Sequence, residues 1–449
     1  MPWSDAQVRS ALGLGGGEEA EYSSISTDTR TIEAGALFVA LKGDRFDGHD
    51  HLAKAAEAGA TGAMVREGTP DISGLRLYRV PDTLVAYGRL ALARRRQIPG
   101  PVVAIAGANG KTSTKEMCAA VLRTRYRVHS TPANDNNLVG IPKTILSAPD
   151  DTEALVIEAG ASTRGELARA RAIIEPAVTV TTNVAVSHLD GFGNLEGVLE
   201  EELELMVGVE LAIVGTDPPA LAEGARKRAR RVVTAGLARA DRVPVSVTMD
   251  STGHPTLAVE NARIKLPLLG QHQASNAMLA WTLVLELKLD QAAAAEALRT
   301  LRIPGGRGEL IEVGGLTIIN DSYNANPASF LAAISTARAM RAGRKLVFVA
   351  GTMRELGPEA ARHHAAVAAA LVGLEPDVLA AVGDFVPALA PYAEKLKGRL
   401  ITAPDAPSMG PRLKARLQGD ELIVLKASRG AALERILPFL TGQDHQPTH

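Results

Sequence analysis

At 449 residues the chain is longer than one hydrophobic core supports, which points to about three domains, and 46% apolar residues exclude a disordered chain. Lys and Arg number 49 against 50 Asp and Glu, so no basic field exists to gather nucleic acid or an anionic membrane surface. The single cysteine, Cys118, excludes an internal disulfide, no apolar run reaches transmembrane length, and Met1-Pro2-Trp3-Ser4-Asp5 lacks a basic segment followed by an apolar core, so a cytoplasmic protein acting on small molecules is expected.

Residues 1 to 83 mix short strand-like runs, such as Ala36 to Leu41, with a helix from about Gly48 to Ala58. Between them Gly43-Asp44-Arg45-Phe46-Asp47-Gly48-His49-Asp50 is a polar, turn-rich loop suited to a polar ligand. A helical pattern from Thr83 to Arg96 leads through Pro99-Gly100-Pro101 into the apolar run Pro101 to Ala106. That run opens directly into Gly107-Ala108-Asn109-Gly110-Lys111-Thr112-Ser113-Thr114. A buried strand feeding a Gly-rich turn and then a helix is the arrangement that cradles a triphosphate. The glycines let backbone N–H groups approach an anion, the helix adds its positive end, Lys111 reaches the β- and γ-phosphates, and Thr112 offers a hydroxyl to Mg²⁺. The pattern is shorter than the usual P-loop, whose first glycine would fall at Ile105, and the competing reading is an ordinary Gly-rich turn. Cys118, in the helix that follows, reads as a small buried side chain.

Beyond the P-loop, Ala154 to Ile157, Ala177 to Thr181 and Glu210 to Val214 are expected strands, and Arg164 to Ile174 and Leu195 to Met206 expected helices. The alternation predicts a mostly parallel, doubly wound α/β sheet. Asn276 to Glu286 and Gln291 to Leu301 read as two further helices, and Ile303-Pro304-Gly305-Gly306 breaks the periodicity as a hinge. A second α/β unit follows, with strands at Thr317 to Asn320, Lys345 to Ala350, Val378 to Val382 and Leu422 to Lys426.

Chemistry-bearing residues cluster at expected strand ends, the edge of an open α/β sheet where ligands sit. Glu158 ends one strand, and His188, with Leu189-Asp190-Gly191-Phe192-Gly193, follows the next. Taken alone, Glu158 reads first as a solvated strand-end acid, and a lone histidine is weak evidence for a ligand. With Lys111 and Thr112 they would place a carboxylate and an imidazole beside a metal-bound triphosphate. Asn134-Asp135-Asn136-Asn137 either bonds a polar substrate or builds tight turns. Asp321-Ser322-Tyr323-Asn324-Ala325-Asn326-Pro327 either caps a helix or aims polar groups into a cleft.

In order along nearly the whole chain, these blocks resemble the Mur ligases. The resemblance is carried by Ser26-Thr27-Asp28-Thr29-Arg30, Phe38 to Gly43, Arg45 to Asp50, the P-loop with Lys115-Glu116-Met117, Asn134 to Pro142, Val156 to Ala161, His188 to Gly193, Gly270 to Asn276, Pro304 to Arg307, Asp321 to Pro327 and Glu355-Leu356-Gly357. It implies a three-domain architecture: residues 1–83 hold a UDP-sugar, 84–302 form the ATP-binding P-loop domain, and 303–449 form a Rossmann-like domain that takes the incoming amine. It also implies ATP and Mg²⁺ as cofactors. The branch it resembles most adds D-alanyl-D-alanine to a UDP-N-acetylmuramoyl tripeptide through an acyl phosphate, in peptidoglycan precursor synthesis. A monomer with small-molecule partners only is expected.

Residue by residue, the resemblance assigns Gly107, Asn109, Gly110, Lys111, Thr112 and Ser113 to the phosphates, and Thr112, Glu158 and His188 to Mg²⁺. It assigns His272 and Asn276 to the adenine, and Arg307 and Asp321 to the phosphates and ribose. Ser26, Thr27, Arg45, Asp47 and His49 fall to the UDP-sugar, Asn134, Asn136 and Asn137 to the peptide side, and Asn324 and Asn326 to the cleft with the C-terminal domain. The sequence also departs from the family. Where the family carries a lysine that reacts with CO₂ to give a metal-positioning carbamate, counting from His188 reaches Glu202. Glu202 either supplies a permanent carboxylate, with about 3 to 4 Å less reach, or is one more solvated acid in Glu200-Glu201-Glu202-Leu203-Glu204. Thr352 stands where Asp is common, Leu138 where an acid follows the paired asparagines, and Gly215-Thr216-Asp217 replaces an Asn-Ala-Asp type turn. These departures leave open a Mur-like ligase with a different acceptor amine, or a nucleotide-binding subunit without catalysis.

Overall fold

Four short parallel strands, Ile25–Ser26, Leu37–Val39, Gly62–Arg66 and Arg76–Val80, lie side by side in that order near the N-terminus. Successive side chains point to opposite faces, and both faces are covered. Leu37, Val39, Met64, Tyr78 and Val80 enter one apolar cluster with Trp3, Val8 and Leu12, while Phe38, Ala63 and Val65 enter another with Leu52 and Ala55. The fold comes from a computed structural model, which describes residues 2–17, 19–43, 46–303 and 305–442.

By their internal contacts the residues form two compact units. One comprises Met1–Ile105, Tyr126–Ala161 and Gly165–Thr179, and the other Ala106–Arg125, Ser162–Arg164 and Val180–His449. In the first unit the helix Thr83–Arg95, capped by Asp82, leads to the fully buried strand Val102–Ala106. That strand pairs in parallel with Ala154–Glu158, which pairs in parallel with Val128–Ser130.

In the second unit the P-loop helix occupies Lys111–Leu122, and Leu211–Val214 pairs in parallel with Val232–Thr234. Its C-terminal part is a six-stranded sheet in the order Glu309–Val313, Leu316–Asp321, Leu422–Lys426, Leu346–Ala350, Val378–Val382, Leu400–Ala403. Alternating residues of Leu346–Ala350 feed two clusters, Leu346, Phe348 and Ala350 to one face, Val347 and Val349 to the other, so this sheet is doubly covered.

The expected strands are present to within a residue or two, and three features differ from the reading of the sequence. The first strand of the C-terminal sheet, Glu309–Val313, runs antiparallel to Leu316–Asp321. The stretch 246–265 forms an antiparallel three-stranded sheet of Ser246–Met249, Pro255–Val259 and Ala262–Lys265, an excursion from the βα alternation. The helix expected from Asn276 begins five residues earlier, as Gln271–Glu286. Its first turn, Gln271-His272-Gln273, is polar and carries no apolar periodicity, which is why pattern reading clips it.

Candidate active site

The P-loop is shaped by two glycines whose places no side chain can take. At Gly107, φ is +120° and an added Cβ would lie 2.1 Å from Thr182 Oγ1; at Gly110, φ is +78° and it would lie 2.6 Å from Asn276 Oδ1. Asn183, just past the strand Val178–Thr181, fastens the loop from outside. Its Nδ2 donates to the Asn109 carbonyl at 3.0 Å, and its Oδ1 accepts the Asn109 N–H at 3.2 Å. Thr182 Oγ1 donates to the same carbonyl at 2.6 Å, and Ala108 N–H donates to the Asn183 carbonyl at 2.9 Å. The twelve-residue helix then starts at Lys111 with no side-chain cap on its first turn. Its leading amides face the loop as an anion site does. Lys111 Nζ donates to the Gly107 carbonyl at 2.6 Å, and Thr112 and Ser113 are buried behind it.

Glu202 comes to this loop from the helix Leu195–Glu204, whose start is capped by Asn194 accepting the Gly197 N–H at 2.8 Å. The Glu202 carboxylate accepts the Gly107 N–H, and its Oε2 is buried without a hydrogen-bond partner. Burial pushes the carboxyl pKa up to about 7, against the pull of Lys111, the Gly107 N–H and His188. It is therefore no solvated surface acid. His188 stands in left-handed backbone, φ 49° and ψ 36°, ahead of the short helix Leu189–Phe192. Its Nδ1 meets Glu355 Oε2 at 2.7 Å, and Leu189 N–H donates to the Glu355 carbonyl at 3.0 Å. The hydrogen bond from His188 holds the Glu355 carboxyl below the usual carboxylate range.

The remaining candidates of the second unit divide between a cavity and internal bonds. A cavity of about 320 Å³ is lined by Met249, Gly270, His272, Ser275 and Thr336, so His272 faces open space. Asn276, one turn along the same helix, is buried beneath Gly110 and donates to Gln273 Oε1 at 3.0 Å; it supports the P-loop backbone. Arg307 lies 4.0 Å over the Tyr323 ring, with one guanidinium nitrogen buried and unpartnered. Asp321 is paired with the buried Lys426 at 2.7 Å, and Lys426 also donates to the Asn324 carbonyl at 2.8 Å. Asn326 caps the helix Pro327–Met340 in a reciprocal box with Ser329, while Asn324 accepts the Ala325 N–H at 2.9 Å. Of the two readings of this segment, the capping one describes the Asn326 side chain.

In the first unit Glu158 ends its strand opposite Ile105, two residues before Gly107 along the chain. It is buried, and its Oε1 accepts from Asn136 Nδ2 at 2.8 Å. Asn137 Oδ1 accepts the N–H groups of Val139 and Gly140 at 3.1 and 2.8 Å, so its side chain builds the turn into the helix Gly140–Leu146. Asn134 is exposed, and its carbonyl accepts the Asn136 N–H at 2.7 Å. Ser26 Oγ accepts the Asp28 N–H at 3.2 Å, and Thr27 directly follows that strand. His49 is held at both ring nitrogens, Nδ1 to Asp47 Oδ1 at 2.6 Å and Nε2 accepting the Arg66 N–H at 3.0 Å. Arg45 and Pro304 lie outside the described residues.

Among the described residues no group of three or more His, Cys, Asp or Glu side chains gathers to hold a metal ion by itself. Sequence reasoning missed Thr182, Asn183 and Glu355. The first two had a usable signal, a polar pair immediately after an apolar strand; Glu355 had none beyond its motif.

Three family models match in order: "Mur ligase family, catalytic domain" over residues 21–94, "Mur ligase middle domain" over 105–284, and "Mur ligase, glutamate ligase domain" over 306–429. The UDP-N-acetylmuramoyl-tripeptide–D-alanyl-D-alanine ligase of Bacillus subtilis is 34% identical over 432 residues, covering 94% of each chain. The Escherichia coli protein of that name is 34% identical over 446 residues, 94% of this chain and 95% of its own. A crystal structure of MurF from Acinetobacter baumannii superposes with a TM-score of 0.90 at 27% identity over 99% of both chains. The structure of Thermotoga maritima MurF in complex with ADP gives 0.81 at 27% identity, over 93% of this chain and 96% of that one.

Proposed function

This chain belongs to the Mur ligase family, with its three-domain architecture, and we propose that it joins D-alanyl-D-alanine to a UDP-N-acetylmuramoyl tripeptide at the expense of ATP. The observation that carries the reading is the P-loop fastened by Thr182 and Asn183, with Lys111 and a buried carboxylate beside it. Full-length similarity to ligases named for that reaction supports the substrates. As a maker of cell-wall precursors the protein would work in the cytoplasm, as a monomer; no described helix is long and apolar enough to cross a membrane.

A carboxylate is a poor electrophile, and the terminal acid of the tripeptide must meet a triphosphate that is also anionic. Lys111 and the uncapped start of its helix would neutralise the phosphates while the carboxylate oxygen attacks the γ-phosphorus and ADP departs. The acyl phosphate then takes the dipeptide amine at its carbonyl carbon, phosphate leaves, and the amine gives up a proton. Exclusion of water protects the activated acid from hydrolysis.

Thr112, Glu158, His188 and Glu202 are the residues proposed to hold Mg²⁺. The buried, unpartnered Oε2 of Glu202 fits a cation, and an ion already carrying phosphate oxygens needs only one or two protein carboxylates. When bound, Mg²⁺ supplies further neutralisation of phosphate charge. Glu202 thus stands in for the carbamate as a carboxylate that needs no CO₂.

For the other candidates, the cavity at His272 is the proposed adenine site, with Arg307 at the phosphates. Ser26, Thr27, Arg45, Asp47 and His49 serve the UDP-sugar, and residues 303–449 the dipeptide. Asn276, Asn136, Asn137 and Asn326 act here mainly by supporting the loops around these sites.

A Mur-like ligase with another acceptor amine is the second reading, favoured by Thr352 and Leu138. Both, however, serve the scaffold: Thr352 Oγ1 accepts the Asp384 N–H at 3.0 Å, and Leu138 is buried. Phosphate release measured with UDP-muramoyl tripeptide and D-alanyl-D-alanine, then with each omitted, separates the readings. Release that needs both supports the first, and release with the tripeptide and a different amine alone supports the second. No release under any condition overturns both.

A further inference from the structure

We propose that Glu355 is a positioning residue for the metal site, engaging His188 at Nδ1 so that Nε2 is presented to the cation. The inference rests on the reading of His188 as metal-facing given above. A neutral imidazole that donates through Nδ1 keeps its lone pair on Nε2, and a carboxylate behind a ligating histidine fixes the ring and raises its basicity. The 2.7 Å contact between His188 Nδ1 and Glu355 Oε2 has that form.

Magnitudes argue against a merely structural ion pair. The Glu355 side chain is 56% exposed, and a pair so solvated contributes at most about 1 kcal/mol. Yet His188 and Glu355 both sit in left-handed backbone, with φ of 49° and 64°. Strained backbone of this kind costs on the order of 1–3 kcal/mol per residue and persists at functional sites, where surroundings over-determine it. Those surroundings are present. Leu189 N–H donates to the Glu355 carbonyl at 3.0 Å, tying the two loops together independently of the side chains.

The loop that carries Glu355 is also fixed from behind. Met353 N–H donates to Nε2 of the buried His364 at 2.9 Å, and His364 Nδ1 is bonded to the Ala360 carbonyl at 2.8 Å. Arg354 N–H donates to Ser428 Oγ at 2.9 Å, and Ser428 N–H to the Thr352 carbonyl at 3.0 Å. The carboxylate is therefore delivered by a segment that follows the strand Leu346–Ala350 and is hydrogen-bonded to His364 and Ser428. Metal affinity in the nucleotide site becomes dependent on that segment being in place.

The test is Mn²⁺ binding, followed by electron paramagnetic resonance on the full-length protein with ADP, for wild type, Glu355→Ala, Glu355→Gln and His188→Ala. Glu355→Ala should weaken Mn²⁺ binding about 10- to 100-fold, with ADP affinity in the absence of metal unchanged, which also reports that the variant is folded. Glu355→Gln, which keeps an oxygen to accept from Nδ1, should recover most of the loss. Neither substitution alters the backbone conformation required, since Ala and Gln carry the same Cβ. Wild-type Mn²⁺ affinity in Glu355→Ala alongside a loss in His188→Ala would overturn the role of Glu355 alone. Wild-type affinity in His188→Ala would overturn it together with the reading of His188.

Discussion

The side-chain amide of Asn136 donates to the buried carboxylate of Glu158 across 2.8 Å, joining a loop that reads as turn chemistry to the end of the strand Ala154–Glu158. Asn136 is itself gripped, because its carbonyl accepts the Gly160 N–H at 2.8 Å. A hydrogen bond to a charged group contributes about 1.5–3 kcal/mol, and its loss removes a contact that aims the carboxylate. Asn136→Ala should therefore lower Mg²⁺-dependent phosphate release at least tenfold, with the loss recovered in part at raised Mg²⁺. Asn136→Asp should do worse than Ala, since it sets two carboxylates face to face. Turnover of either variant at the wild-type level would show that Glu158 is aimed by other contacts.

Glu202 makes a prediction in pH. Its carboxyl has a folded pKa of about 7 against an ordinary 4.5, so the folded state binds a proton more tightly than the unfolded chain. Stability from this group is fully present below pH 4.5 and is lost as pH rises through 7, by roughly 3 kcal/mol in all. In the metal-free protein, Glu202→Gln should match wild type in Tm near pH 5 and exceed it by several degrees at pH 8. With ATP, Mg²⁺ and both substrates the order reverses in activity, and the Gln variant should turn over far more slowly. Because residue 202 carries no amine to carbamylate, depleting CO₂ from the buffer should leave wild-type turnover unchanged. A Tm difference that does not vary with pH would refute the buried charge.

The P-loop was legible in the sequence because its cause is local: an apolar strand, glycines where backbone must approach an anion, and a helix start within eight residues. The strands of the C-terminal unit were legible for a similar reason, being continuous apolar runs buried on both faces. The grip of Asn183 on Asn109, the Asn136 bond to Glu158 and the Glu355 contact with His188 were not, because each joins residues far apart in sequence whose types are ordinary in turns. Glu202 is reached only by counting from His188 along the spacing of the family. What fills its surroundings, the Gly107 N–H and the charge of Lys111, is set by how the helix Leu195–Glu204 packs. The antiparallel strands at 246–265 were missed since four- and five-residue alternations are too short to outweigh turn residues around them.

Gly110 supplies a steric prediction. Its φ of +78° disfavours any Cβ, and an added Cβ would stand 2.6 and 2.9 Å from the amide atoms of Asn276. Asn276 has little freedom to yield, being buried and bonded to Gln273 at 3.0 Å. Gly110→Ala should lower ADP affinity by more than tenfold in calorimetry, since left-handed backbone alone costs about 1–2 kcal/mol for a residue bearing a Cβ. Combining it with Asn276→Ala should restore part of the binding by removing the clash while leaving the backbone term. A double variant no better than Gly110→Ala would assign the whole effect to φ.

Asn183 tests whether the loop is preorganised before nucleotide arrives. Its side chain both donates to and accepts from the Asn109 backbone, at 3.0 and 3.2 Å, while Thr182 Oγ1 holds the same carbonyl at 2.6 Å. Asn183→Ala removes two bonds of about 1 kcal/mol each but spares the Thr182 bond, so ADP affinity should fall about 5- to 30-fold. Asn183→Asp keeps the acceptor for the Asn109 N–H and loses the donor, and it adds a negative charge next to the phosphate loop. It should bind ADP more weakly than the Ala variant at low ionic strength, and the gap should narrow as salt screens the repulsion. If both variants bind ADP as wild type does, the nucleotide itself, and not the strand end that follows it in the sheet, shapes the loop.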